Sequence, residues 1–271
     1  MTKPRLLVAT DSYLPRWDGI ARTLVELLPI LAKTFDIRVL VPDYPGERPA
    51  IIGVTFVTFP LIPWIRVTDV RFAIVSKRRM AEEAQWADIL WTHTAAIIGS
   101  AAIKACARYH KPTVSMVHSV EWDIYGQAMP FAKTLTRALW LKTVRRRYAL
   151  VNRLITPGST TRAAMETEGF SVPINVTPLG VSHTRFTPVD LETKRQIRHR
   201  LGLPIHDVLI GFLGRFAPEK DLSTLLSAHE RLVREAEVSV LLVGGEEALL
   251  PRGKNIENPL LSFWGVGWSI L

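Results

Sequence analysis

Short runs of Val, Ile and Leu alternate along this chain with longer stretches whose apolar residues recur at helical spacing. The first run, residues 5–10, is followed by a polar loop at 11–19 and a helical pattern at 20–33. In the same way, strands are predicted at 37–42, 54–60, 88–93, 112–118, 151–156 and 175–180, and helices at 72–86, 95–107, 130–150 and 159–168. This alternation predicts an α/β fold built on a parallel, doubly wound sheet.

Prolines and glycines interrupt the pattern between Pro178 and Pro204, after which the alternation starts again. The new unit has a strand at 207–214, a helix at 221–236 and a strand at 237–243. The sequence therefore predicts two domains, residues 1–188 and residues 189–271. Two strands are recognisable in the second domain, whereas a complete Rossmann-like domain needs on the order of 150 residues. We therefore expect the C-terminal Rossmann-like domain to be incomplete.

The composition points to an anionic partner. The chain of 271 residues has 34 Lys and Arg against 25 Asp and Glu, which gives a formal net charge of +9. Such an excess favours a nucleotide, a phosphorylated sugar, an anionic membrane surface or nucleic acid. No zinc-binding, helix-turn-helix or RNA-binding aromatic motif is present in the sequence, so we expect no nucleic-acid partner.

Cysteine content and hydropathy bear on the compartment. Cys106 is the only cysteine, which excludes an intrachain disulfide and a cysteine-rich metal site. No apolar run approaches the ~20 residues that a membrane-spanning helix needs. The sequence therefore predicts a cytoplasmic protein, or one that is peripheral on the inner face of the cell membrane.

Polar residues and glycines follow several of the predicted strands, at the positions where parallel α/β sheets bind ligands. Asp11 and Gly19 lie in the loop after the first strand, and His118 ends the strand at 112–118. Gly19 either allows a ligand to approach the backbone closely or caps the following helix. His118 either orients a substrate hydroxyl or makes a structural hydrogen bond. His93 also ends a strand but has weaker support.

A second candidate site lies where the strand at 207–214 meets the following helix. The sequence from Gly214 to Asp221 reads Gly-Arg-Phe-Ala-Pro-Glu-Lys-Asp. A glycine, the N–H groups of a helix start and the cations Arg215 and Lys220 together can bind an anion. The alternative is a surface turn with two solvated cations.

Residues 130–150 form a strongly basic helical pattern that contains Trp140. Its cations are Lys133, Arg137, Lys142, Arg145, Arg146 and Arg147. A helix of this kind can lie against anionic lipid headgroups. Because the charges surround the helix rather than occupy one face, a solvated helix that links domains is the favoured alternative.

Taken together, six motifs resemble the retaining glycosyltransferases of family 4. They are Asp11-x-Tyr13-x-Pro15 with Gly19, the strand that ends at His118, Ile155-Thr-Pro-Gly-Ser159, Val176-Thr-Pro-Leu-Gly-Val181 with Phe186-x-Pro188, Gly214-Arg-Phe-Ala-Pro-Glu-Lys220, and Leu241-Leu-Val-Gly-Gly245. The Gly-Arg motif followed by Glu-Lys is the most specific of these.

The resemblance implies a GT-B architecture, in which two Rossmann-like domains face a cleft. It also implies that a sugar is transferred from a nucleoside diphosphate donor with retention of the anomeric configuration. Arg215 and Lys220 would bind the donor diphosphate, and Gly19 and Gly214 would lie close to it. The resemblance implies no cofactor and no metal, since two preorganised cations can offset the charge of the leaving group.

The resemblance also assigns roles in the first domain. His118 would be a catalytic residue at the sugar end of the cleft. The early loop makes Asp11 and Tyr13 candidates for the acceptor side. The acceptor would be a sugar or a lipid-linked molecule.

Two departures from the family pattern affect these expectations. The early loop has Asp18-Gly19 in place of the usual pair of glycines. The Glu-x7-Glu motif of the family's second domain is absent, and Glu246 and Glu247 do not occupy its place. We therefore expect a truncated glycosyltransferase with low or no activity. The alternative function is a non-catalytic basic α/β module that binds an anionic membrane surface or a nucleotide; a dehydrogenase is disfavoured because no early loop reads Gly-x-Gly-x-x-Gly.

Overall fold

The structure, a computed structural model, describes residues 2–67, 70–120, 122–123, 133–205, 208–214, 216, 220–244 and 261–264. For residues 65–67, 70 and 261–264 it describes the backbone alone. The chain divides into two compact units, Met1–Gly180 and Val181–Leu271, whereas the sequence placed the boundary after residue 188. Each unit is described by itself.

The first unit contains the alternation that the sequence predicts. In chain order it consists of β1 (Arg5–Ala9), α1 (Gly19–Leu31), β2 (Asp36–Pro42), β3 (Val54–Phe59), β4 (Leu61–Val67), β5 (Val70–Ala73), α2 (Lys77–Trp86), β6 (Ile89–Thr92), α3 (Ile97–Arg108), β7 (Thr113–Met116), α4 (Lys133–Tyr148), β8 (Arg153–Thr156), α5 (Ser159–Thr167) and β9 (Ile174–Val176). Seven of these strands form one sheet in the order β3-β2-β1-β6-β7-β8-β9, and every pairing in it is parallel. The predicted parallel α/β fold is confirmed.

Both faces of this sheet are buried, which explains why its strands read as continuous apolar runs. Along β1, Leu6 and Val8 pack on one face, in a core that includes residues of α1. Leu7 and Ala9 pack on the other face, in a core that includes residues of α2, α3 and α4. Cys106 of α3 is fully buried in this second core, and burial raises its pKa to about 12.

The predicted helix at 72–86 is wrong for residues 72–76, since the observed helix is Lys77–Trp86. Residues up to Ala73 belong to β5, which pairs antiparallel with β4 in a separate two-stranded ribbon. The helix begins after Ser76, whose hydroxyl accepts a hydrogen bond from the backbone N–H of Arg79 at 3.4 Å. A serine at this position is a helix start signal that should have been used. The strand predicted at 175–180 is also shorter, since β9 ends at Val176.

The second unit contains α6 (Leu191–Arg200), β10 (Val208–Leu213), α7 (Leu222–Leu232), β11 (Val238–Val243) and β12 (Leu261–Trp264). The three strands pair in parallel in the order β10-β11-β12, so one more strand is present than the sequence predicted. At the ends of β10 and β11 the backbones nearly touch. A Cβ atom on Gly244, whose φ is +110°, would lie 2.4 Å from the carbonyl oxygen of Gly214.

Candidate functional site

The strand order places a topological switch point at the carboxyl ends of β1 and β6. From β1 the sheet continues to β2 on one side and to β6 on the other. At such a switch point the connections leave in opposite directions and open a crevice where ligands bind. Ser12, Asp18 and Gly19 follow β1, His93 follows β6, and His118 follows β7. The strand-end residues singled out from the sequence therefore belong to neighbouring strands.

Asp11 stabilises the start of α3. Its carboxylate accepts hydrogen bonds from the backbone N–H groups of Ile98 at 2.7 Å and Gly99 at 3.1 Å, and from the hydroxyl of Thr94 at 2.5 Å. The residue before α3 is Ala96, which has no side-chain oxygen to cap the helix. Asp11 supplies that cap from a distant loop. Burial raises its pKa, although these hydrogen bonds act in the opposite direction.

Tyr13, the second acceptor-side candidate, lies in the core. It is 1% exposed, and its ring stacks on Phe56 with 5.1 Å between centroids. Burial raises the pKa of its phenol to about 12. For both Asp11 and Tyr13 the structure shows contacts that stabilise the fold. Their roles on the acceptor side stay predictions.

Asp18 and Gly19 begin α1. One carboxylate oxygen of Asp18 accepts from the backbone N–H groups of Ile20 at 3.0 Å and Ala21 at 2.9 Å, so Asp18, not Gly19, is the N-cap. The other oxygen bonds to the hydroxyl of Ser12 and to the guanidinium of Arg16. A Cβ atom on Gly19 would meet nothing within 4 Å. The space beside Gly19 is therefore open, whereas the N–H groups of Ile20 and Ala21 already donate to the carboxylate of Asp18.

The sequence reasoning missed Asp18 as a site residue. An aspartate immediately before a helical pattern is a common N-cap, and this signal would have identified it. Its network with Ser12 and Arg16 depends on a loop conformation that residue spacing does not predict.

His118 and His93 form a pair at the ends of β7 and β6. Nε2 of His118 lies 2.9 Å from Nδ1 of His93, and the rings stack with 5.1 Å between centroids. Burial lowers the pKa of His118 to about 4, partly offset by the negative charge of Asp18. Burial also lowers the pKa of the fully buried His93, and the charge of His118 acts in the same direction. Both imidazoles are therefore neutral at neutral pH.

The second candidate site is described in part. Gly214 follows β10, and Lys220 is exposed just before α7. Arg215 lies outside the described residues, as do Gly245, Glu246 and Glu247. Asp221, the residue before α7, has a φ of +46° and accepts hydrogen bonds from the hydroxyls of Ser223 at 2.8 Å and Thr224 at 2.7 Å.

A groove of about 560 Å³ runs between α2, α3 and α4. Small side chains of α3, Ala101 and Ala105, line its apolar part. Its cations are Lys77, Lys104, Arg108 and Arg147, and none of the described residues that line it is acidic. The groove therefore combines an apolar lining with positive charge. Within the described chain, no helix is long and apolar enough to cross a membrane.

The basic helix α4 is partly held by ion pairs. Arg137 bonds to Asp123 at 2.6 Å and also to Glu168. Leu135 and Leu139 are more than half exposed on the same helix. The first residues of the predicted helix, 130–132, lie outside the described part of the chain.

Comparison with known sequences gives a family for the chain. The model of Glycosyltransferase Family 4 matches residues 17–185. A GDP-mannose-dependent alpha-mannosyltransferase of Mycobacterium tuberculosis is 26% identical over 248 residues, which cover 89% of this chain and 62% of the relative. An alpha-monoglucosyldiacylglycerol synthase of Streptococcus pneumoniae is 21% identical over 246 residues, which cover 89% of this chain and 56% of the relative. The chain thus spans less than two thirds of the length of either relative.

Comparison with solved structures gives the same fold. Anabaena Alr3699/HepE, solved in complex with UDP and glucose, has a TM-score of 0.63 at 15% identity, covering 95% of this chain and 68% of that one. WaaG, a glycosyltransferase involved in lipopolysaccharide biosynthesis, has a TM-score of 0.54 at 15% identity, covering 96% of this chain and 69% of that one. These structures have the GT-B fold that the sequence resemblance implied. Because the family model matches more than half of the chain, this chain belongs to Glycosyltransferase Family 4.

Proposed function

We propose that the chain acts as a glycosyltransferase that transfers a sugar from a nucleoside diphosphate donor to an acceptor hydroxyl, with retention of the anomeric configuration. The observation that carries this proposal is the pair of neutral histidines at the strand ends, on the same sheet edge as the open space beside Gly19. A Cβ atom on Gly19 would meet nothing within 4 Å. His118 follows β7, which is separated from β1 by β6 in the same sheet. The names of the relatives, which include a GDP-mannose-dependent enzyme, support a nucleotide-sugar donor.

The chemistry of the donor fits these groups. When the bond between the sugar and the diphosphate breaks, negative charge develops on the diphosphate. Helix N–H groups and cations stabilise that charge, and they do so best when they are already oriented before the reaction. By the family resemblance, we expect Arg215 and Lys220 of the second unit to supply the two cations. The neutral imidazole of His118 can hydrogen-bond to a hydroxyl of the transferred sugar without adding charge.

Removing the two expected diphosphate ligands tests the donor site. We predict that the Arg215→Ala, Lys220→Ala double variant binds the matching nucleoside diphosphate at least about 100-fold more weakly, since each charge-assisted hydrogen bond contributes roughly 1.5–3 kcal/mol. Titration calorimetry with UDP, GDP and ADP identifies the nucleotide and measures the loss. NMR of the product formed from the matching nucleotide sugar reports the configuration at the anomeric carbon.

The matched control is the Lys194→Ala, Arg195→Ala variant. It removes the same two charges from exposed positions of α6 and should bind the nucleotide like the unmodified chain. Equal losses in the two double variants would indicate a general charge effect and contradict a diphosphate site at Arg215 and Lys220. Binding of none of the nucleotides by the unmodified chain would contradict the proposed function itself.

A second candidate function is association with an anionic membrane surface, and the groove between α2, α3 and α4 favours it. Apolar lining can receive part of an acyl chain, while the cations at Lys104 and Arg108 can bind a lipid phosphate. This candidate is compatible with the first, because it would bring a lipid-linked acceptor to the enzyme. A non-catalytic module that binds an anionic membrane surface would use the same groove.

Reversing charge at the groove tests this candidate. We predict that the Lys104→Glu, Arg108→Glu variant sediments with phosphatidylglycerol vesicles at least tenfold less strongly, because each cation near such a surface contributes about 1 kcal/mol. The control is Arg22→Glu with Lys33→Glu, two exposed residues at the α1 side of the sheet. Equal losses in both variants, or equal binding of the unmodified chain to neutral phosphatidylcholine vesicles, would argue against the groove as a lipid site.

A further inference from the structure

His93 is a buried polar side chain to which the proposed function gives no role. Its imidazole is 0% exposed, and Trp91 lies edge-on to it with 4.1 Å between ring centroids. Nδ1 faces Nε2 of His118 at 2.9 Å. Its other nitrogen, Nε2, is buried and has no hydrogen-bond partner among the described residues. Because an unpaired buried nitrogen is costly, this arrangement requires an explanation.

The backbone holds the two rings in place. The N–H of His93 donates to the carbonyl of Ala9 at 2.9 Å, which ties the end of β6 to β1. Next to His118, the N–H of Val117 donates to the carbonyl of Ile155 at 2.8 Å, which ties the end of β7 to β8. Within β6 and β7 themselves, the hydroxyls of Thr92 and Ser115 are 2.6 Å apart. The imidazole pair therefore sits on a rigid part of the sheet edge.

Only one proton can lie between two neutral imidazoles joined in this way. Either Nδ1–H of His93 donates to Nε2 of His118, or Nε2–H of His118 donates to Nδ1 of His93. In the second arrangement the proton of His93 must be on Nε2, which buries an N–H group without an acceptor among the described residues. In the first arrangement only a lone pair is left unpaired. Orphaned buried N–H groups are the rarer of the two in proteins, so the first arrangement is favoured.

Asp18, the N-cap of α1, acts on His118 with its negative charge. The hydrogen bond that joins the two rings uses Nε2 of His118, and Nδ1 is the other nitrogen of that ring.

We propose that His93 is a positioning residue that fixes the tautomer of His118. Nδ1–H of His93 donates to Nε2 of His118, and His118 therefore carries its own proton on Nδ1. In this form His118 has an Nδ1–H donor and no free basic nitrogen. It can hold an oxygen atom of a bound sugar, and it cannot remove a proton from an acceptor. This role at the substrate rests on the proposed function, whereas the tautomer itself does not.

The tautomer can be measured directly. Protein labelled with ¹⁵N at its seven histidines is studied at neutral pH by ¹H–¹⁵N multiple-bond correlation NMR. His118 is expected to show the pattern of the Nδ1–H tautomer. In His93→Phe, which keeps a ring beside Trp91 but removes the donor, His118 is expected to shift toward the Nε2–H tautomer that free imidazole side chains prefer. In His93→Asn the side-chain amide can still donate from a position near that of Nδ1, so the Nδ1–H pattern is expected to return.

A matched control is His229→Phe, which replaces another buried histidine, one whose Nε2 lies 3.1 Å from the carbonyl oxygen of Val238. It should leave the His118 pattern unchanged. A proton on Nε2 of His118 in the unmodified protein, or an unchanged pattern in a folded His93→Phe variant, would overturn the proposal. Should His93→Phe fail to fold, the unmodified protein and His93→Asn still decide it.

Kinetics separate this inference from the proposed function. With a matching donor and acceptor, His93→Phe is expected to lower kcat about tenfold while KM for the donor stays within twofold, and His93→Asn is expected to recover most of kcat. If the role of His93 were purely structural, kcat would not fall while KM for the donor stayed unchanged, and His93→Asn would not restore kcat. An Nδ1–H pattern in a protein that binds no nucleotide and transfers no sugar would contradict the proposed function and still support the tautomer assignment.

Discussion

Replacing Gly99 with alanine is expected to lower the free energy of unfolding of the first unit by about 3 kcal/mol or more. Gly99 lies in the first turn of α3, where a Cβ atom would be 1.9 Å from the carbonyl oxygen of Thr94 and 2.8 Å from its carbonyl carbon. Both are backbone atoms at the end of β6, so no side chain can rotate to relieve the overlap. Either α3 or the strand end that bears His93 must move.

Urea denaturation monitored by circular dichroism measures this effect. The control is Gly158→Ala, since Gly158 also precedes a helix, α5, and a Cβ atom there meets nothing within 4 Å. Its effect should stay within about 1 kcal/mol. A loss below about 1 kcal/mol for Gly99→Ala would mean that the close approach of α3 to β6 is not required. Because the overlap displaces the strand end beside His93, a folded variant should also show an altered NMR signal for the histidine pair.

The second large effect is expected for Asp11→Ala, with a loss of about 3 kcal/mol. The change removes the remote cap of α3 and leaves the N–H groups of Ile98 and Gly99 and the hydroxyl of Thr94 without their acceptor. Buried donors that lose their partner cost roughly 1–3 kcal/mol each, although the three share one carboxylate and their costs do not add fully. The negative charge at the helix N-terminus is lost as well.

Two further variants define the origin of this effect. Asp11→Asn keeps one acceptor oxygen but not the charge, and we expect it to lose about half as much stability. Ser76→Ala removes the local, exposed cap of α2 and should cost about 1 kcal/mol or less. A loss for Asp11→Ala no larger than that for Ser76→Ala would contradict the remote cap. If folded Asp11→Asn transferred sugar with a strongly raised KM for the acceptor, the acceptor-side prediction for Asp11 would gain its first support.

The fold of the first unit followed from local patterns. Apolar runs and helical periodicity located the strands of the parallel sheet and most of the helices, because those patterns depend on residues that are close in sequence. The pattern was misleading for residues 72–86, where β5 comes directly before α2 and the serine that starts the helix was overlooked. In the second unit, β12 lies in a stretch for which no strand was predicted.

The candidate site was predictable only in part. Strand-end placement correctly brought His93 and His118 into consideration, and sheet topology then made them neighbours. Asp11 was chosen for the same reason, yet its hydrogen bonds are to residues 87 and 88 positions away along the chain. The roles of Arg215 and Lys220 at the donor stay predictions, and Arg215 lies outside the described residues.

The sequence by itself determined the fold class, the family resemblance and the set of polar residues at strand ends. The tertiary structure decided what those residues do: Asp11 caps a distant helix, Tyr13 fills the core, and His93 holds His118. The physical reason is that secondary structure is encoded over one or two turns of chain, whereas a hydrogen bond across strand ends depends on which strands are neighbours. That order arises only when the sheet has formed.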